Sequence, residues 1–268
     1  MKKSPSPSRF RLYEECVQSP NWQVDYLPQF HTWLTGKVPR KFREDFCGSA
    51  RVACEWVKRS SKNSALGLDL APEVLAYAKK YNLADLDSKA KQRIHLKRAD
   101  VRKPTHEKFD WIGAFNFSVF EFHERKELLK YFKAAHRSLE RAGTLFLEVA
   151  GGSGFLEPSL EKQTKRIPGL GRVTHAWEQS QFDPITALND YAIHFGLPDG
   201  SWMNHAFTYH WRVWGIRELR DALKEAGFKR SVVLWERADA SGAPLHEFLP
   251  AEEAPNHDFF IAYVIGLK

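Results

Sequence analysis

The sequence predicts an open α/β sheet, and three observations carry that expectation. Strand-like and helix-like patterns alternate along most of the chain. A compact β-loop-α-β unit occupies residues 40–70. The later apolar runs, above all 144–150, are nearly continuous, as strands covered on both faces require. At 268 residues and 43% hydrophobic content the chain is long enough to bury a large core as one domain, or as one domain carrying an inserted lid.

The 40–70 unit organises the rest. A strand at 41–46 runs into the tight turn Cys47-Gly48-Ser49-Ala50, and a helix at 51–59 offers Val52, Trp56 and Val57 to a core. A second strand at 66–70 ends in Asp69. Small residues in the loop let backbone N–H groups approach a ligand, and the helix N-terminus adds the positive end of its dipole. The carboxylate at the second strand's end is placed to accept from the two hydroxyls of a ribose. The unit reads as a nucleoside-cofactor site. A dinucleotide fold asks for G-x-G-x-x-G here, yet Gly48 stands alone, with Phe46 and Ala50 where glycines would fall. That disfavours a nucleotide-cofactor oxidoreductase.

The run Glu44-Asp45-Phe46-Cys47-Gly48-Ser49-Ala50 instead resembles motif I of the class I S-adenosylmethionine-dependent methyltransferases, acid-x-Gly-x-Gly-x-Gly. Glu44 matches the acid, with Asp45 as the alternative register; Gly48 matches the central glycine; Phe46 and Ala50 depart from the pattern. The resemblance implies a Rossmann-like, seven-stranded, mostly parallel sheet with an antiparallel last strand. It implies S-adenosylmethionine as cofactor, S-adenosylhomocysteine as product and no metal. The activity it implies is in-line methyl transfer to a small-molecule acceptor. Its cofactor positions are Glu44, Asp45, Phe46, Cys47 and Gly48 in the loop, Asp69 and Leu70 at the ribose, Asp100 and Val101 at the adenine, and Asn116 and Phe117 beside the methyl group.

Taken in order, residues 1–8 lack the apolar stretch of a secretory signal and read as a frayed tail. Residues 9–35 are rich in aromatics. Tyr26, Leu27, Phe30 and Trp33 recur at helical spacing, and Gly36 and Pro39 stop the helix. Residues 1–39 are thus expected as a helical cap, with Tyr13 and Gln18 as substrate-binding candidates. Pro72 opens the next helix, and strands follow at 94–101 and 109–116. The tip Asn116-Phe117-Ser118 lacks the Asn-Pro-Pro-Tyr that similar enzymes use on nucleic-acid amino groups. Glu121 and His123 lie just beyond as an acid or base.

A helix at 127–142 closed by Gly143 precedes the strand at 144–150. Gly151-Gly152-Ser153-Gly154 reads as a hinge into an insertion, about 155–215, expected to be a β-hairpin lid of strands 185–195 and 202–214. Alternation would place Met203, His205, Phe207, Tyr209, Trp211 and Val213 on one face. The lid supplies the substrate candidates Tyr191, Asn204 and Arg212. The catalytic candidates are His123, His194, His205, His210 and Tyr209, none favoured by spacing. A helix at 215–226, Ala-Gly-Phe, a strand at 230–236, a loop at 238–257 and a strand at 258–267 complete the resemblance to small-molecule methyltransferases.

The net charge of +7 and pI near 9.2 come largely from residues 79–108. With only Tyr81 and Phe109 for stacking, that stretch reads as solvated surface rather than a nucleic-acid track. Methylation of RNA or protein through it, or a non-catalytic role of the fold, is the alternative reading. The cysteines Cys16, Cys47 and Cys54 show no metal-ligand spacing and suit a reducing compartment, so the cytoplasm is expected. No apolar run has the length of a membrane span. The oligomeric state is not legible.

Overall fold

A computed structural model describes residues 7–239 and 244–268, so most of the expected tail lies outside the described residues. The chain begins with two helices, α1 (Arg9–Cys16) and α2 (Pro20–Thr35). Gly36 ends α2 at φ +71°, where its N–H reaches the Thr32 carbonyl at 2.8 Å. Then come β1 (Lys41–Asp45), α3 (Arg51–Arg59), β2 (Ser64–Asp69), α4 (Pro72–Tyr77) with a π turn at Ala78–Asn82, α5 (Ser88–Lys91), β3 (Ile94–Arg98) and β4 (Phe109–Ala114). After a 3-10 turn at Ser118–Glu121 follow α6 (Arg125–Ser138) and β5 (Leu139–Gly151). The insertion contributes β6 (Ser159–Ile167), β7 (Gly171–Gln179), β8 (Leu188–Gly196) and β9 (Trp202–Arg212). The chain closes with α7 (Ile216–Glu225), β10 (Arg230–Ala238), β11 (Pro244–Ala251) and β12 (Phe260–Leu267).

The main sheet has eight strands rather than seven, in the order β11-β10-β12-β5-β4-β1-β2-β3. β3, β2, β1, β4 and β5 are parallel; β12 runs antiparallel to both β5 and β10. The eighth strand, β11, lies inside the stretch expected as a loop. It is an edge strand exposed nearly throughout and carries Pro250, so it shows no two-residue alternation. Its anchor is Phe248, which meets Trp22 and Tyr263 edge-on or tilted.

The insertion is a separate four-stranded antiparallel sheet, β6-β7-β8-β9, rather than a hairpin. β6, Ser-Leu-Glu-Lys-Gln-Thr-Lys-Arg-Ile, is exposed on both faces up to Ile167, so no apolar pattern betrays it. β8 starts at Leu188, because Ile185 sits in a turn held by Asp183 and is 94% exposed.

Helix α6 also stops short of the expected 142. Leu139 leaves it to pair with Phe109 on β4, which starts β5 five residues early. The glycines after β5 are packed rather than loose. Gly152 has φ +109°, a Cβ there would lie 2.4 Å from the Asp258 carbonyl oxygen, and the Gly154 N–H donates to that oxygen at 2.7 Å.

Both faces of the main sheet are covered. On one, α3 lays Val52, Trp56 and Val57 against Phe42, Trp111 and Phe146. The Trp56 indole N–H is shared by the carbonyls of Arg40 and Ser64, tying the helix to the starts of β1 and β2. On the other, α6 and α7 bury Leu128, Phe132, Leu219 and Leu223. Among the described residues no helix is long and apolar enough to cross a membrane.

Candidate functional site

Strand order reverses between β1 and β4, and at such a switch point the loops leaving the strand ends diverge and open a crevice. A cavity of about 570 Å³ lies there, lined by residues at or after the ends of β1 (Phe46–Ser49), β2 (Asp69, Leu70, Ala71, Glu73 and Val74), β3 (Ala99–Arg102) and β4 (Asn116, Ser118, Glu121 and Phe122). α1 and β9 close it from the other side with Phe10, Tyr13, Phe207, Thr208, Tyr209 and Trp211.

The floor is built around Asp69. Its Oδ2 accepts the Gly48 N–H and its Oδ1 the Ala71 N–H, at 2.8 and 2.9 Å, so one carboxylate joins the loops after β1 and β2. Gly48 has φ +51°, and a Cβ there would meet nothing nearer than Val74 Cγ2 at 4.0 Å. The loop backbone is therefore bare toward the cavity, as a cofactor cradle needs. Asp100 is gripped through both oxygens by the Arg102 guanidinium at 2.8–3.1 Å, which holds its carboxyl below the usual range. Asn116 and Phe117, both at positive φ, turn the chain sharply after β4. The Asn116 N–H donates to buried Glu148 at 2.7 Å. On the rim, the Oε1 of Gln18 is buried without a hydrogen-bond partner, an acceptor left for a ligand donor.

Phe46, Cys47, Gly48, Asp69, Leu70, Asp100, Val101 and Asn116 all line the cavity, as do Tyr13, Gln18 and Tyr209. Glu44 and Asp45 do not. Successive strand residues face opposite sides of a sheet covered on both, so each acid is sealed in a different core layer. Glu44 accepts the Ala53 N–H at 2.8 Å beneath α3, and burial pushes its carboxyl up to about 8 against the pull of that bond. Asp45 lies on the α6 side, bound by Arg43 at 2.8 Å and the Tyr131 hydroxyl at 3.0 Å, with both ion-pair side chains fully buried. Phe117 packs edge-on to Trp211 and Phe155, outside the lining.

The lid candidates are corrected more heavily. A bulge sets three residues of β9 against His194, and His205 takes φ +50°, which breaks the expected alternation. Asn204, His205 and His210 face solvent. His210 pairs with Asp190, and its backbone carbonyl meets His123 Nε2 at 2.6 Å. Tyr191 is buried, stacked on Phe155 and Trp177. Arg212 lies over Trp214 and donates to the His123 carbonyl. None of these lines the cavity, and no histidine is in its wall among the described residues. Tyr209 remains, hydrogen-bonded to Tyr13, and burial raises both phenols so that they stay neutral near pH 7.

The wall also holds residues that sequence reasoning did not single out as site candidates: Arg9, Phe10, Glu73 and Arg102. Glu73 lies four positions after Asp69 and Arg102 two after Asp100, a signal that was available. α1 and β9 meet across 197 positions of sequence, where Arg9 donates to the Ala206 carbonyl, and nothing local announces that.

Among the described residues, Glu178, His194 and His205 bring potential metal-ligand atoms within 4.8 Å of one another, on the inserted sheet and away from the cavity. Their hydrogen bonds do not suit a metal. His194 Nδ1 accepts the His205 N–H at 3.1 Å, so Nε2 carries the ring proton and donates it to Glu178 at 2.8 Å.

Residues 45–147 match the family described as the methyltransferase domain. No curated protein sequence matches the chain. Among solved structures, the fold is similar to a S-adenosylmethionine-dependent methyltransferase from Clostridium acetobutylicum, at TM-score 0.67 and 17% identity over 96% of each chain. It is similar to CalS10, an amino pentose methyltransferase from Micromonospora echinaspora, at 0.67 and 15% over 98% of this chain and 99% of that one. It is also similar to DesVI of Streptomyces venezuelae, at 0.70 and 16% over 96% and 94%.

Proposed function

Because this chain has the class I S-adenosylmethionine-dependent methyltransferase fold, with a methyltransferase domain at 45–147, we propose that it binds S-adenosylmethionine and methylates a small-molecule acceptor. The observation that carries the reading is the Asp69 floor: one carboxylate beside a bare glycine loop, at the sheet's switch point. When bound, S-adenosylmethionine supplies a methyl group already activated on a cationic sulfur. The chain's task is then to position two ligands. Asp69 keeps lone pairs free for a ribose diol, Asp100 lies at the end of β3 for the adenine amino group, and the Gly48 loop takes the aminoacyl end. The aromatic part of the wall, Phe10, Tyr13, Phe207, Tyr209 and Trp211, suits a compact acceptor. Placing both ligands in one cavity removes much of the entropic barrier to their meeting.

In this reading α1 and Gln18 cap the cavity, the 155–215 sheet is the acceptor lid, and the protein works in the cytoplasm with reduced Cys16, Cys47 and Cys54. The basic stretch supports an RNA acceptor poorly. Arg93 is spent on the carbonyls of Val57, Ser60 and Asn63, and Arg102 on Asp100 and Glu127.

Calorimetry tests the reading. S-adenosylmethionine and S-adenosylhomocysteine should bind and NAD should not, and NAD binding alone would refute it. Asp69→Ala should weaken cofactor binding by about 1.5–3 kcal/mol for each hydrogen bond lost to the charged group, with circular dichroism unchanged.

A further inference from the structure

Four carboxylates and two guanidiniums line the cavity, and their partners divide them. Arg9 lies 3.8 Å from Glu73, and Arg102 grips Asp100. Asp69 accepts two backbone N–H groups, and its remaining lone pairs belong to the ribose in the reading above. Glu121 is different. Its Oε1 accepts the indole N–H of Trp211 at 2.7 Å, and among the described residues it forms no ion pair.

The brace on Glu121 is rigid. Trp211 is 2% exposed, wedged among Phe117, Phe120, Tyr191 and Tyr209, so its N–H has one fixed direction. Indole donates and never accepts, so the bond defines where the carboxylate sits without neutralising it. Glu121 itself is exposed and lines the cavity, and among the described residues only its Oε1 accepts a hydrogen bond. Tyr209 lies in the same wall near Glu121, and an aromatic face also favours a cation. An anionic acceptor would be repelled here, and a neutral alcohol would leave the charge unmatched.

We propose that Glu121, braced by Trp211, binds the protonated amino group of the acceptor and takes up its proton, leaving a neutral amine whose lone pair is free to accept a methyl group, so that the acceptor is a compact amine. This rests on the methyltransferase reading above and adds the chemical class of the second ligand. Glu121 follows the β4 turn directly, which puts the amine next to Asn116 and Ser118 at the switch point.

The test is a binding measurement on the protein saturated with S-adenosylhomocysteine, using a panel of cyclic primary amines, each paired with its isosteric alcohol. Amines should bind about tenfold more tightly than their alcohols or better, the range expected of a charged hydrogen bond in a partly open site. Glu121→Gln keeps an oxygen for Trp211 and removes the charge. It should erase the amine preference while S-adenosylhomocysteine affinity and thermal midpoint stay unchanged. Equal binding of amines and alcohols, no binding of any amine, or a preference that survives in Glu121→Gln overturns the proposal. Failure of the wild-type protein to take S-adenosylhomocysteine sinks the methyltransferase reading instead.

Discussion

The two halves of the cavity are built on different principles. The floor, from β1 through α3 to β2, is local: Gly48, Asp69 and Ala71 lie within 24 consecutive residues and are joined by backbone hydrogen bonds to one carboxylate. The wall, from α1 and β9, is assembled from segments nearly 200 positions apart and held by aromatic contact, as in Tyr13 against Phe207 at 4.9 Å and Tyr209 against Trp211 at 4.3 Å. A floor fixed by directional bonds suits one invariant ligand. A wall fixed by packing can change its shape through side-chain substitution while the floor stays put. The molecule thus separates what it holds from what it selects.

The largest expected effect tests how rigid the support beneath the floor is. Arg43→Met leaves Asp45 charged, buried and without its cation, which should cost about 3–5 kcal/mol in urea denaturation. A loss below about 1 kcal/mol would mean that Asp45 takes up a proton and the layer tolerates it. Next is Gly152→Ala at the root of the insertion. With φ +109° and a backbone oxygen 2.4 Å from the new Cβ, it should destabilise by about 1–3 kcal/mol. If the variant is as stable as wild type, the glycines are a loose hinge after all and the lid is free to swing. The smallest effect sharpens the view of the floor's underside. The Glu44 carboxyl titrates near 8 in the folded chain against 4.5 as its ordinary value. Below pH 4.5 both states hold the proton. Between 4.5 and 8 the unfolded chain releases it first, so stability declines as pH rises through that window and levels off above it. Glu44→Gln lacks this decline, and its thermal midpoint relative to wild type should rise as pH climbs through that window. A pH-independent difference would place the Glu44 titration elsewhere.

How much of this was legible in the sequence follows the same division. The helix at 51–59 is read residue for residue, because Val52, Trp56 and Val57 repeat at helical spacing between a turn and a polar stop. Asp69, Asp100 and Asn116 reach the cavity lining because each stands at or just past the end of a parallel strand, a position legible from the strand-helix alternation. Glu44 and Asp45 are misplaced for a related reason: an acid written beside a loop looks like a loop acid, whereas residues inside a twice-covered strand face the core. β6 and β11 are missed because solvent-exposed strands need no hydrophobic alternation, and pairing alone makes them. The β9 bulge moves the site face by inserting residues opposite His194, which no count along the strand anticipates. Glu121 was visible as an acid near the switch point. Its brace, Trp211, came from 90 residues away.

The buried Arg43–Asp45–Tyr131 arrangement also bears on descent. A pair with no solvent exposure adds little net stability over an apolar pair of the same shape, yet either member alone is costly. Single-step substitution at either position therefore passes through a damaged intermediate, and the two positions, one residue apart on β1, are locked to each other across generations. Lineages carrying this chain should either keep both residues or have lost both together. A shared Arg-x-Asp ahead of the loop would then be a mark of common ancestry rather than of common chemistry.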